Sequence, residues 1–158
     1  MPQPAITTPE ILHLEVQGSI DRPTLKVRVI HNESKGVYVN ASISAEHPMV
    51  AVTATLLSKM KLGALRNTAL RAALAEQNIE LSKRAPVKSF FKGTAGRAVA
   101  EKARLDPTPE HLENAALVYR LARLVGDYPV QAVARCFSLE PAAAKHWVTL
   151  ARKNGVLV

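Results

Sequence analysis

The last third of the chain decides the fold: residues 108–157, TPEHLENAALVYRLARLVGDYPVQAVARCFSLEPAAAKHWVTLARKNGVL. Thr108-Pro109-Glu110 opens a helix, with a hydroxyl to accept from a free first-turn amide, a proline at the position where an N–H is not needed, and an acid near the positive end of the helix dipole. Leu117, Leu121 and Leu124, with Val118, Ala122 and Val125 beside them, carry the apolar stripe to about Val125, while Arg120 and Arg123 point outward. Gly126-Asp127-Tyr128-Pro129 stops that helix, and Pro129 starts a second, short one to about Phe137 with Val130, Val133, Ala134 and Phe137 at spacings of three and four. Ser138-Leu139 makes a tight turn. A third helix then runs from about Glu140 to Lys153, its buried face read from Ala144, Trp147, Val148 and Ala151, and Asn154-Gly155 closes it.

A leading helix, a helix of about eight residues, a short turn and a longer final helix, with the small Ala134 where the last two cross, are the elements of a helix-turn-helix. The stretch Val133-Ala134-Arg135-Cys136-Phe137-Ser138-Leu139, then Ala144-Lys145-His146-Trp147-Val148, then Ala151-Arg152-Lys153-Asn154-Gly155-Val156-Leu157 resembles the helix-turn-helix of a group of short actinobacterial and phage-encoded DNA-binding proteins. In that group a similar small residue, turn, buried Trp-Val pair and Ala-Arg then Gly-hydrophobic ending recur. The resemblance covers about 50 of the 158 residues. It implies a sequence-specific DNA-binding protein, a bacterial or phage transcriptional regulator. Two positions depart from the pattern: Ser138 stands where glycine is usual, and Glu140 where a serine or threonine cap is usual. Pro141 fixes the first turn in place of that cap, and Glu140 would face phosphate repulsively.

Subtracting the buried stripe from the third helix leaves Ala142, Ala143, Lys145, His146, Thr149, Arg152 and Lys153 as its outer face. In a major-groove pose the N-terminal positions reach base edges: Ala142 and Ala143 suit thymine methyls, Lys145 a guanine, and His146 a base or phosphate. Arg152 and Lys153, at the far end, suit the backbone. One such helix discriminates weakly, so two half-sites and a homodimer are expected.

Working outward, the charge is uneven. The chain carries 21 Lys and Arg against 13 Asp and Glu, a net +8, which favours an anionic partner. Met1 to Leu57 is net −1 and Asp106 to Val158 is net +1; Ser58 to Leu105, with eleven basic residues against three acids, holds the excess. Within it, residues 82–107 contain Pro86, Pro107, Gly93 and Gly96 and are expected to form a basic linker, with a short helix over Thr94–Arg104. Lys83, Arg84, Lys88, Lys92 and Arg97 are its candidate phosphate contacts. Phe90-Phe91, flanked by Lys88 and Lys92, either pins this segment to a domain surface, the favoured reading, or stacks on bases.

Ahead of it, residues 1–81 read as a small α+β domain for association or sensing. Ile11-Leu12-His13-Leu14-Glu15-Val16, Leu25-Lys26-Val27-Arg28-Val29 and Val37-Tyr38-Val39-Asn40-Ala41-Ser42-Ile43 alternate in strand fashion between turn-rich breaks, which predicts a three-strand antiparallel meander with Lys26 and Arg28 on one face. Helices follow over about Ala51–Met60 and Gly63–Gln77, the latter with Leu65, Ala69, Ala72 and Ala73 as its inner stripe and Arg66 and Arg71 beside it. The fold class is therefore α+β: this meander with one or two helices, the basic linker, and an all-α helix-turn-helix over 108–158.

Other chemistries find little footing. With 47% hydrophobic and only 4% aromatic residues, a core is expected, filled largely by Leu, Val, Ile and Ala. Cys136 is the single cysteine, so an internal disulfide and a multi-cysteine zinc site are excluded, and it reads as a buried small hydrophobe. His13, His31, His47, His111 and His146 include no i, i+4 pair, no glycine-rich phosphate loop occurs, and Asp106, Glu110 and Glu113 are explained by a helix start. No catalytic residue, metal or cofactor is expected. The opening MPQPAITTPE has no basic-then-apolar leader and no window reaches a membrane span, so a cytoplasmic, nucleoid-associated protein is expected. The rival expectation is a phage or plasmid structural or adaptor module whose helix pair contacts protein, or an RNA-binding protein. The sequence names no small-molecule effector.

Overall fold

The computed structural model describes residues 4–158. It is α+β, an N-terminal antiparallel sheet followed by helices. Strands β1 (Ile11–Val16), β2 (Thr24–Asn32) and β3 (Val37–Glu46) pair in the order β1-β2-β3, both pairs antiparallel. Alternation works as a two-residue period should: Leu14, Leu25, Val27, Val29 and Tyr38 are buried, and Lys26 and Arg28 are exposed on the opposite face. Across the sheet His13 faces Arg28, which faces Ser42; after that row Val29 pairs with Asn40, so β3 carries one extra residue, Ala41, as a bulge.

Helices α1 (Ala54–Lys59), α2 (Leu62–Gln77), α3 (Ile79–Ser82), α4 (Ala85–Lys92), α5 (Glu101–Leu105), α6 (Pro109–Val125), α7 (Pro129–Phe137) and α8 (Pro141–Lys153) follow. Helix α6 is the hub. It packs on α7 and α8, on α4 and α2, and on β3, which leaves few of its positions to solvent: Leu112, Ala115, Ala116, Leu117, Val118, Leu121, Ala122, Leu124 and Val125 are all buried. Thr108 caps it by accepting from the His111 amide at 3.3 Å, and Gly126, at φ +88°, ends it in the left-handed conformation that spares a side chain. Helix α2 packs on β1 and bridges the sheet to α4 and α6.

Three expectations need correction. Residues 82–107 are not an extended linker: eight of them form α4, whose Val87 and Phe90 are fully buried between α2, α6 and α7, and the second helix there is the short α5 rather than Thr94–Arg104. Burying Val87 and Phe90 stabilises this arrangement by about 1.5–3 kcal/mol each, which outweighs the loop bias of Pro86, a residue that in any case sits harmlessly at the first helical turn. The inner stripe of α2 is Leu70 and Leu74, with Ala69 and Ala73 half-buried beside it; Ala72 is exposed, because the larger leucines claim the core and turn the helix accordingly. Arg120 does not point outward. It is half-buried, donates from Nη2 to the Pro4 carbonyl at 3.0 Å, and burial lowers its pKa.

The N-terminal segment is held by a side chain acting as a strand. Buried Asn78 accepts from the Thr7 amide at 2.7 Å and donates to the Thr7 carbonyl at 3.0 Å and the Leu74 carbonyl at 2.8 Å, so its side-chain oxygen and nitrogen are both engaged. One buried cluster runs from Leu14 in the sheet through Leu70, Phe90 and Leu117 to Trp147 and Leu157.

Candidate functional site

The outer face of α8 forms because its inner face is locked. Trp147 is fully buried, with its ring 5.1 Å from Phe137 and 5.3 Å from His111 between centroids, and its Nε1–H donates to the Arg104 carbonyl at 3.1 Å. Ala144, Val148 and Ala151 fill the rest. That fixes the helix in rotation, leaving Ala142, Lys145, His146, Thr149, Arg152 and Lys153 exposed and Ala143 half-buried. Helix α8 starts without a side-chain cap at Glu140, and Pro141 takes the first turn.

Not every side chain on that face is free. Arg152 lies over the Tyr119 ring at 5.4 Å and donates to its hydroxyl at 2.8 Å, so its guanidinium is held back toward α6. The Thr149 hydroxyl donates to the Lys145 carbonyl one turn earlier at 3.0 Å. Lys145, His146 and Lys153 make no contact of this kind with another side chain among the described residues.

The α7–α8 turn is clamped by a strap, residues 94–99. Ser138 ends α7 in the left-handed conformation at φ 49°, ψ 47°, and the Leu139 amide returns to the Ala134 carbonyl at 2.8 Å. The strap lies flat on this end: the Gly96 amide donates to the Arg135 carbonyl at 3.0 Å and the Ser138 hydroxyl donates to the Gly96 carbonyl at 2.6 Å. A Cβ on Gly96 would fall 1.6 Å from the Cys136 carbonyl oxygen, so this close approach requires glycine. Beyond the strap, Glu101, Arg104 and Leu105 of α5 wall a groove against Ala142, Ala143 and His146. The basic segment thus runs alongside the N-terminal half of α8.

The five cations expected to meet phosphate divide into two groups. Lys83 pairs with Glu80 at 2.6 Å; Arg84 pairs with Glu113 at 3.6 Å and donates to Asn114 at 3.1 Å. Both are taken. Lys88 and Lys92, one turn apart on α4, and Arg97 on the strap instead line one cleft of about 430 Å³, together with His111 of α6. Phe90, on the opposite side of α4, is buried and so removed from any nucleic acid, and Phe91 packs edge-on against it at 5.8 Å. Cys136 sits 2% exposed behind the cleft; burial pushes its thiol up to about 11, against the opposing pull of Arg135 and Arg71.

Sequence reasoning missed the clamp on the far end of α6. The Arg66 guanidinium donates to the carbonyls of Val125 and Tyr38 and to Asn40 and Asn67, and Arg71 pairs with Asp127 at 2.8 Å. Arg66 therefore meets the negative end of the α6 dipole, and Arg71 binds the acid just past it. Their place beside the inner stripe of α2 was a visible signal, but their partners, Val125 and Asp127, lie some 60 residues along the chain. Among the described residues no three His, Cys, Asp or Glu side chains converge as a metal site would need, and no helix is long and apolar enough to cross a membrane.

No family model, curated protein or solved structure matches the chain.

Proposed function

We propose that the protein binds double-stranded DNA as a helix-turn-helix regulator of bacterial or phage type, with α7 and α8 as the helix pair and α8 in the major groove. One observation carries the reading: the buried face of α8 is locked by Trp147, and its exposed face offers Lys145, His146, Thr149, Arg152 and Lys153 with no acidic residue anywhere from Pro141 to Val158. Lys145, His146 and Thr149 then read base edges, with Ala142 and Ala143 available to thymine methyls. Lys153 and Arg152, released from Tyr119, grip the backbone, and Lys88, Lys92 and Arg97 add contacts to phosphate wherever the DNA passes the strap. Lys83, in an exposed pair with Glu80, and Arg84, paired with Glu113, can join them by exchanging those acids for phosphate. The unit in action is a cytoplasmic, nucleoid-associated homodimer on two half-sites.

Selection from a random duplex pool, followed by titration at several salt concentrations, tests this. A discrete preferred site is expected; Lys145→Ala lowers the preference by about 1–3 kcal/mol at one base position. Lys153→Ala weakens binding to all sequences alike and reduces the salt slope by about one. Recovery of no preferred sequence overturns the regulator reading.

A further inference from the structure

The cleft between α4 and the strap has a chemistry that a passing DNA backbone does not require. Its cations come from two elements: Lys88 and Lys92 from α4, Arg97 from the strap. No carboxylate lines it among the described residues, and no ion pair engages these three. His111 also lines the cleft. Its Nδ1 accepts from the Thr108 amide at 3.3 Å, so in the neutral ring the proton sits on Nε2. Pro86 and Val99 give the lining an apolar part, with the buried Phe137 behind them. A volume of about 430 Å³ lies within the roughly 300–1,000 Å³ of small-molecule sites.

Three cations beside apolar lining suit a ligand with a dianionic phosphate monoester at one end and a flat, weakly polar body at the other. We propose that this cleft binds a phosphorylated small molecule of mononucleotide size. The phosphate meets Lys88, Lys92 and Arg97, and the body rests on Pro86 and Val99, with the buried Phe137 behind them. Because Arg97 belongs to the strap that is bonded to Ser138, the occupied cleft ties α4 to the α7–α8 turn through the ligand. Binding itself stands apart from the DNA reading. Competition with DNA for the same three cations rests on that reading.

Trp147, the only tryptophan, is in ring contact with two lining residues, His111 and Phe137, and reports on the cleft. The full chain is titrated with AMP, GMP, adenosine and inorganic phosphate, followed by Trp147 fluorescence and by calorimetry. Saturable binding of at least one nucleotide is expected, with adenosine and inorganic phosphate each weaker by about tenfold or more, because each lacks one half of the match. Lys92→Ala and Arg97→Ala, both at exposed positions, each weaken nucleotide binding by about tenfold, the loss of one charge-assisted contact; Lys26→Ala, on the outer face of the sheet, leaves it unchanged. Absence of nucleotide binding by either method overturns the proposal, as does inorganic phosphate binding as tightly as the nucleotides, or indifference to both cleft variants. A duplex DNA arm separates the two readings: nucleotide binding without DNA binding overturns only the DNA reading, and DNA binding without nucleotide binding overturns only this one.

Discussion

At Ser138 two residue-scale effects oppose each other. The left-handed conformation at φ 49° costs a non-glycine residue roughly 1–2 kcal/mol. The hydroxyl recovers part of this through its bond to the Gly96 carbonyl, worth about 0.5–1.5 kcal/mol net. The two effects pull toward different residues at this position: glycine would relieve the backbone, while serine holds the strap. Ser138→Ala keeps the strain and loses the bond, so it lowers unfolding stability by about 1 kcal/mol in urea titrations. Ser138→Gly loses the bond and the strain together and stays within about 1 kcal/mol of the wild type. An alanine variant at least as stable as the glycine variant would show that the strap does not depend on this hydroxyl.

At the scale of elements, what the sequence made legible followed hydrophobic periodicity, and what it hid followed long-range pairing. Helices α6, α7 and α8 and the three strands stand within a few residues of their expected limits because their apolar spacing and their caps, such as Thr108 and Gly126, are local signals. Helix α4 was hidden because Pro86, Gly93 and four nearby cations read as loop, while its reason for folding, Phe90 seated between α2, α6 and α7, lies in residues far along the chain. The outer face of α8 was legible by subtraction; the cleft was not, since Lys88, Arg97 and His111 come from three separate elements. Arg66 shows the same limit most sharply. Its guanidinium joins β3, α2 and the last turn of α6, and Arg66→Met leaves the Val125 and Tyr38 carbonyls short of a donor in a half-buried place. Each such loss costs about 1–3 kcal/mol, so a fall of about 2–4 kcal/mol in unfolding stability is expected, with the urea m-value unchanged. A change below about 0.5 kcal/mol would mean that water replaces the arginine at little cost.

At the scale of the whole molecule, the decisive relation is that α6 serves both halves. Its buried positions face β3 and α2 on one side and α7 and α8 on the other, and α4 fills the angle between them. No face of α6 is spare. A fragment of residues 108–158 would bare the side of α6 that meets α2, α4 and β3, strip the Trp147 Nε1–H of the Arg104 carbonyl, and leave about 50 residues to fold around what remains, a size at which a single core is already marginal. Sheet and C-terminal helices should therefore unfold together. Trp147 fluorescence reports the α6–α8 end, and far-UV circular dichroism reports all elements at once. In urea the two midpoints are expected to coincide within error for the full chain, and the fragment alone is expected to show no cooperative transition. A fragment that folds with its own sharp transition, or a fluorescence midpoint well above that of the circular dichroism, would make the C-terminal helices an independent unit and reduce α4 to a docked arm. The coincident outcome carries a functional corollary: an event at the α4 cleft, which shares α6 and Phe137 with the packing of α8, acts on the same cooperative unit that presents Lys145 and His146 to solvent.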